Sequence, residues 1–253
     1  MMETFDIMIS NSYDYKHKDY LEDHRWTILK NLYENNFVIS DNRDYGRLPK
    51  KIHQIWVGCP FPAKYGALAD TWKRFNPAWE YRLWTDKDID EVGLPDRGLY
   101  ESITNNGQKS DFLRYHILNS QGGLYVDTDF ECLHPFDNFS YLDFLTGIGY
   151  PSKVELYIGL IATIPHHPII ERIVLEMNNI NSGNWRNIFN STGSYFFTRV
   201  FFEVVGEYMK GVVAMPTGYF YPFSNQTGHQ NRDGKKYVKG YSFALHHWAV
   251  SWL

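Results

Sequence analysis

The chain has 253 residues, 43% of them apolar, which is enough for one large globular domain with a substantial core. A formal net charge of −4 without a long basic run excludes a phosphate-tracking nucleic-acid binder, and no run of about 18 apolar residues is present to form a transmembrane segment. The two cysteines, Cys59 and Cys132, lack CxxC spacing, and the acidic start (Glu3, Asp6) is no signal peptide, so the expected setting is cytoplasmic, with neither disulfide framework nor zinc site.

Residues 1–17 are polar and mixed, and weak order is expected there. Leu21, Ile28 and Leu32, with Trp26, Leu29 and Tyr33, recur at helical spacing and predict a helix over 19–36. A polar linker containing Gly46 and Pro49 follows, so residues 1–48 read as a helical extension and 49–253 as the main domain. Residues 51–57 alternate as a strand ended by Gly58-Cys59-Pro60. A helix over 67–75, a strand over 81–84 and a short helix capped by Asp86 come next. The helix predicted over 108–120 stops at Gly122-Gly123. Apolar stretches follow at 124–126, 144–150 and 157–164, then helices from Pro168 to 179 and over 192–205, and strands over 212–215 and 241–245. Strands and helices alternate from residue 51 on, which predicts an α/β fold with a mostly parallel sheet flanked by helices on both faces.

Chemistry concentrates at Gly122-Gly123-Leu124-Tyr125-Val126-Asp127-Thr128-Asp129. Asp127 and Asp129 are i, i+2 and point to one side where the strand leaves the core. Ligands of open α/β sheets bind beyond the carboxyl ends of strands, and two hard oxygen donors there attract a divalent cation that can hold a diphosphate. A solvated strand exit with two turn-forming aspartates is the plainer alternative. An EF-hand loop is excluded, because its sixth position, counted from Asp127, is Cys132 and not glycine.

Ahead of the strand, Asp111 and Arg114 are i, i+3 on one helix face, either an ordinary ion pair or a donor-binding pair in which Arg114 neutralises phosphate. Trp56 ends the first strand and is either a core residue or a stacking platform for a nucleobase. His246-His247-Trp248, near the end of the chain, offers imidazoles as a further ligand beside carboxylates.

The pieces Lys51-Ile52-His53-Gln54-Ile55-Trp56-Val57-Gly58, Trp79-Glu80-Tyr81-Arg82-Leu83-Trp84-Thr85-Asp86, Ser110-Asp111-Phe112-Leu113-Arg114-Tyr115, Gly122 to Asp129, and His246-His247-Trp248 through Ser251-Trp252 occur in this order. Together they resemble glycosyltransferase family 32, the DxD sugar transferases that include outer-chain mannosyltransferases and capsular polysaccharide enzymes. More distantly they are similar to the glucosylating domains of large clostridial toxins. The resemblance spans about residues 49–253. It implies a GT-A fold of Rossmann-like type, a Mn²⁺ or Mg²⁺ ion, a UDP- or GDP-sugar donor, a glycan or other hydroxyl acceptor, and transfer with retention.

By the same resemblance, Asp127 and Asp129 bind the metal, Asp127 also meeting ribose or sugar. Trp56 stacks on the base, and Asp111, Arg114 and neighbouring Tyr115 hold the donor. His246 or His247 approaches the metal, His246 being preferred, and Ser251 and Trp252 close over the pyrophosphate. Two departures bear on the acceptor side: Ile158 stands where many relatives have Asn, and Thr192-Gly193-Ser194 where many have Thr-Gly-Pro. A metal-dependent hydrolase of nucleotide sugars and a degenerate sugar-binding protein are the rival readings. Because eukaryotic relatives are often membrane-anchored and this chain shows no anchor, a bacterial or viral setting is expected.

Overall fold

The structure, a computed structural model, describes residues 4–12, 22–39, 47–150, 153–179, 188–207, 209–223 and 234–249. Helices α1 (Phe5–Ser10) and α2 (Arg25–Tyr33) come first, and α2 runs on into a π-type turn, Glu34–Val38. Strand β1 (Lys51–Ile55) leads through α3 (Gly66–Phe75) to β2 (Glu80–Trp84). The chain returns by two short helices and the long α4 (Asn106–Gln121) to β3 (Gly123–Val126). Then follow β4 (Phe130–Cys132), β5 (Phe144–Tyr150), β6 (Glu155–Thr163), α5 (Pro168–Asn178), α6 (Ser194–Val204), β7 (Val212–Met215) and β8 (Ala244–His246).

Six strands form one sheet in the order β2-β1-β3-β6-β5-β7, and β4 pairs with β8 as a separate antiparallel ribbon. Only β6 runs against its neighbours in the large sheet, so the mostly parallel sheet read from the sequence is the one observed. The chain lays β2 on one side of β1 and β3 on the other. The crevice beyond the carboxyl ends of β1 and β3 is therefore a topological switch point, where such sheets bind ligands.

The glycine pair fixes how β3 enters. Gly122 (φ +62°) caps α4 with its N–H donating to Leu118 O at 2.9 Å, and Gly123 has φ +91°. A Cβ on Gly122 would lie 2.7 Å from Thr163 O, and one on Gly123 2.7 Å from Lys51 O, so neighbouring backbone leaves no room for a side chain. β6 carries the other distortion. Thr146 of β5 pairs with Ile161, but the next residue, Gly147, pairs with Tyr157. Residues 158–160 thus bulge out of the β5–β6 ladder.

Some local expectations are corrected. Phe5, Met8 and Ile9 are buried, so residues 5–10 form an ordered helix where weak order was expected; its six residues are too short for the period to show. The cap after β2 is Thr85, closing a capping box with Asp88, rather than Asp86. The late strand is Ala244–His246, and β4, three residues long, was not foreseen. At the sheet's edge, Asn36 donates to Met209 O and Val212 O at 2.7 and 3.0 Å and accepts from Gly211 N at 3.0 Å, joining the end of α2 to β7. Among the described residues no helix is long and apolar enough to cross a membrane, and both cysteines are free thiols.

His53 is sealed under this construction. Its Nε2–H donates to Gly122 O at 3.0 Å and its Nδ1 accepts from Trp84 Nε1 at 3.1 Å, an arrangement only the neutral ring can make. Burial lowers its pKa to about 4, and burial does the same to His116 and His167. Below about pH 6.5 the unfolded chain takes up protons that the folded one refuses, so stability is full above that pH and declines as pH falls toward 4. His53→Gln should be less stable at neutral pH yet lose less between pH 7 and 4.5 than the parent, by about 1–3 kcal/mol in urea unfolding. An identical pH slope in the two proteins would refute this.

Candidate active site

The turn leaving β3 is pinned by its backbone. Asp127 N donates to Gly159 O at 2.8 Å in the β6 bulge, and Asp127 O accepts from Gln54 Nε2 at 3.1 Å and from Phe130 N at 3.2 Å. Gln54 is itself oriented by Tyr81 OH, which donates to its Oε1 at 2.6 Å. The half-buried Asp127 carboxylate is then aimed by side chains: Oδ1 accepts from Tyr125 OH at 2.6 Å and lies 3.4 Å from Arg114 Nη2. Oδ2 lies over Gly159, where a Cβ would come within 2.8 Å of it.

Asp129 holds the other end of the domain. Its Oδ1 meets His246 Nε2 at 3.0 Å, its Oδ2 accepts from Ala249 N at 2.7 Å, and its backbone O accepts from His247 N at 3.0 Å. Burial pushes the Asp129 carboxyl up, but the His246 imidazole and the Ala249 N–H outweigh it and hold the group below its ordinary value. The His246 ring stacks on Phe130 (4.3 Å, 7°) with Trp248 at 4.0 Å on its flank. Trp248 bends the chain here at φ +54° and donates its Nε1–H to Phe223 O at 3.0 Å.

One ligand atom each from Asp127, Asp129 and His246 lies within 4.8 Å of the others. Two carboxylates and an imidazole are a donor set suited to Mn²⁺ or Mg²⁺, and His246 Nδ1 is buried with no hydrogen-bond partner among the described residues. These residues fit the ion that the resemblance implies.

Arg114 lies behind the cluster, 4% exposed, with Nη2 at 2.8 Å from Asp111 Oδ1, Nη1 donating to Ile158 O at 2.7 Å, and its guanidinium 4.3 Å over the Tyr125 ring. Asp111 Oδ2 accepts from Thr192 Oγ1 at 2.9 Å. Burial pushes the Asp111 carboxyl up to about 7 against the pull of Arg114 and Thr192.

The structure separates the two histidines. His247 turns away to Glu131 Oε2 at 3.1 Å, a carboxylate also facing Lys235 at 3.4 Å, and does not join the cluster. Tyr115 is fully buried and donates to Thr192 O at 3.0 Å, so its ring has no surface to offer a donor. Trp56 is half-buried beside Phe61 (5.7 Å) and Tyr65 (5.2 Å) at the carboxyl end of β1, and its Nε1–H has no partner among the described residues. Ser251 and Trp252 lie outside the described residues. Tyr125, Gly159 and Gln54 were not singled out in the sequence, and Thr192, read as bearing on the acceptor side, is found on Asp111. Tyr125 alone carried a signal, being i−2 to Asp127 and hence on its face of the strand.

Residues 62–143, which contain both carboxylates, match the family described as "Glycosyltransferase sugar-binding region containing DXD motif". That match spans α4, β3 and the turn that carries the two carboxylates. Among curated relatives, inositol phosphoceramide mannosyltransferase 2 of Schizosaccharomyces pombe is 27% identical over 145 residues, covering 54% of this chain and 41% of that protein. An uncharacterized glycosyltransferase of Acanthamoeba polyphaga mimivirus is 29% identical over 173 residues, covering 64% of this chain and 66% of that one. The chain therefore spans less than half of the fission-yeast relative and about two thirds of the viral one. Among solved structures, the PaToxG glycosyltransferase superposes with a TM-score of 0.55 at 18% identity, covering 76% of this chain and 81% of that one, a likeness of fold. The expected GT-A architecture is the one observed.

The Asp129 clasp has a measurable consequence in the DXD region. Asp129→Ala removes the acceptor of the Ala249 N–H and the partner of His246, so the Ala249 amide should exchange with deuterium about tenfold faster or more, with β3 and β6 amides unchanged. Unaltered exchange at Ala249 would show that the clasp does not hold this segment.

Proposed function

We propose that this chain is a glycosyltransferase that moves a hexose from a UDP- or GDP-sugar to the hydroxyl of a glycan or similar acceptor, metal-dependently and with retention. One observation carries the proposal: the DXD carboxylates of a sugar-binding region meet His246 within 4.8 Å at the switch point of the sheet. Asp127, Asp129 and His246 would hold a Mn²⁺ or Mg²⁺ ion, which when bound supplies Lewis-acid stabilisation of charge on a diphosphate. Mannose is the first sugar to consider, since fungal relatives are named as mannosyltransferases.

The chain's own residues supply the rest. Arg114, held flat by Asp111, Ile158 O and the Tyr125 ring, presents fixed positive charge behind Asp127 where the leaving diphosphate becomes more anionic. Such charge needs no reorganisation at the moment of reaction. Asp111, expected from the resemblance to meet the donor sugar, is buried with Oδ1 on Arg114 and Oδ2 on Thr192 and serves by holding Arg114 in place. Trp56, at the neighbouring strand end, stacks on the base. The sugar acquires oxocarbenium character, and the acceptor hydroxyl attacks from the face the diphosphate leaves, with its proton passing to the departing diphosphate. Both oxygens of Asp129 are engaged and Asp127 Oδ1 is taken by Tyr125, which favours ligand and positioning roles over a nucleophile's. The transferase unit in this proposal is residues 49–253, and of the residues before it the described helix α2 packs against β7.

A thermal-shift screen of UDP- and GDP-sugars with and without Mn²⁺ should show stabilisation that requires both metal and donor, GDP-mannose among the donors, because a ligand binding only the native state raises the melting temperature. Asp127→Ala should lose that stabilisation and at least about 100-fold of donor turnover. Turnover at the parent rate in Asp127→Ala would sink the proposal.

A further inference from the structure

Three side chains on one face of α4, at i, i+3 and i+7, fasten the segment Ile188–Gly193 to the site. Gln108 Nε2 donates to Ser191 Oγ at 2.9 Å, Thr192 Oγ1 donates to Asp111 Oδ2 at 2.9 Å, and Tyr115 OH donates to Thr192 O at 3.0 Å. Thr192 is wholly buried. Its hydroxyl has one proton and two acceptors in reach, Asp111 Oδ2 at 2.9 Å and Ile188 O at 3.4 Å. An ionised Asp111 draws that proton; a protonated Asp111 lets it turn to the Ile188 carbonyl.

The charge on Asp111 matters because of what Arg114 does next. The guanidinium stands between two carboxylates, 2.8 Å from Asp111 and 3.4 Å from Asp127 through the same Nη2. While Asp111 is anionic, it holds Arg114 back. Once Asp111 is neutral, Asp127 becomes the stronger partner, and the cation moves onto the carboxylate that a metal or donor must reach. Burial favours the neutral acid, and the groups opposing or reinforcing it are Arg114 from α4, Asp127 from the turn after β3 and the Thr192 hydroxyl; Tyr115 packs beside it.

We propose that Thr192 is a positioning residue of the transfer site: its hydroxyl keeps Asp111 ionised and so keeps Arg114 shared between Asp111 and Asp127 rather than ceded to Asp127. This rests on the role given above to Arg114 beside the donor diphosphate and to Asp111 in holding it. Thr192 acts through Asp111 and needs no contact with the donor. Valine keeps the branched shape of Thr192 without the hydroxyl, and serine keeps the hydroxyl without the methyl, so the two variants together separate the hydrogen bond from packing.

The test is a carbon-13 NMR titration of aspartate carboxyls in the unliganded full chain, with Asp111→Asn to assign the resonance. In Thr192→Val the Asp111 midpoint should rise from about 7 by about one pH unit or more, and in Thr192→Ser it should stay where it is. Should Thr192→Val not fold, Thr192→Ala carries the same comparison. The acid limb of kcat/KM for donor turnover should move upward in step in the valine variant and not in the serine one. Equal midpoints in the valine and parent proteins, or a serine variant that shifts like valine, would overturn the inference. A parent that turns over no nucleotide sugar would instead refute the proposed function, while the titration of unliganded protein stays readable.

Discussion

Arg114 is shut away from water yet faces two carboxylates, a carbonyl and an aromatic ring. A buried guanidinium is tolerable only when its donors are used and its charge is matched; removing one partner of such a set costs about 3–5 kcal/mol. The surrounding structure matches the charge and engages both Nη groups, while Nε has no partner among the described residues. α4 supplies the arginine and Asp111 at i, i+3, β3 supplies Tyr125 and Asp127, and β6 leaves its ladder for three residues so that Ile158 O can accept. The bulge leaves Ile158 O free for Arg114, while Gly159 O continues the β3–β6 register to the Asp127 N–H.

The two DXD carboxylates are held from different sides although they are two residues apart. Asp127 is oriented from inside, by Tyr125, Arg114 and the space over Gly159, and presents its outer oxygen to the crevice. Asp129 is oriented from outside, by His246 and the Ala249 N–H, and joins the late part of the chain to the middle. A sugar donor entering between them would contact an internally rigid wall on one side and a clasped terminal segment on the other.

Most of the architecture was legible in the residues. The Gly122-Gly123 stop, the apolar run behind Asp127 and the alternation of strands and helices placed the site at the end of β3 because each is a short-range signal. Asp111 and Arg114 were legible as a pair through helical spacing. His246 and His247 were indistinguishable as neighbours in sequence; what separates them is the β4–β8 register, which sets Phe130 opposite His246 and leaves His247 to Glu131. Gly159 and Thr192 reach the site from strands and loops over thirty residues away, and nothing local marks a glycine as the floor under a carboxylate. Tyr115 misled for the converse reason: it shares a motif with Arg114 but faces the core one position on.

Asn36 makes a quieter contribution. β7 is the last strand of the sheet, and a bare last strand is a template on which another molecule can add its own backbone. Its approach is met by an amide that speaks the language of the peptide group, giving N–H to Met209 and Val212 carbonyls and taking one from Gly211, while α2 lies alongside. With α2 and the Asn36 amide laid over it, this edge is not bare, a matter of colloidal behaviour that would persist in a chain whose carboxylates had lost all chemistry.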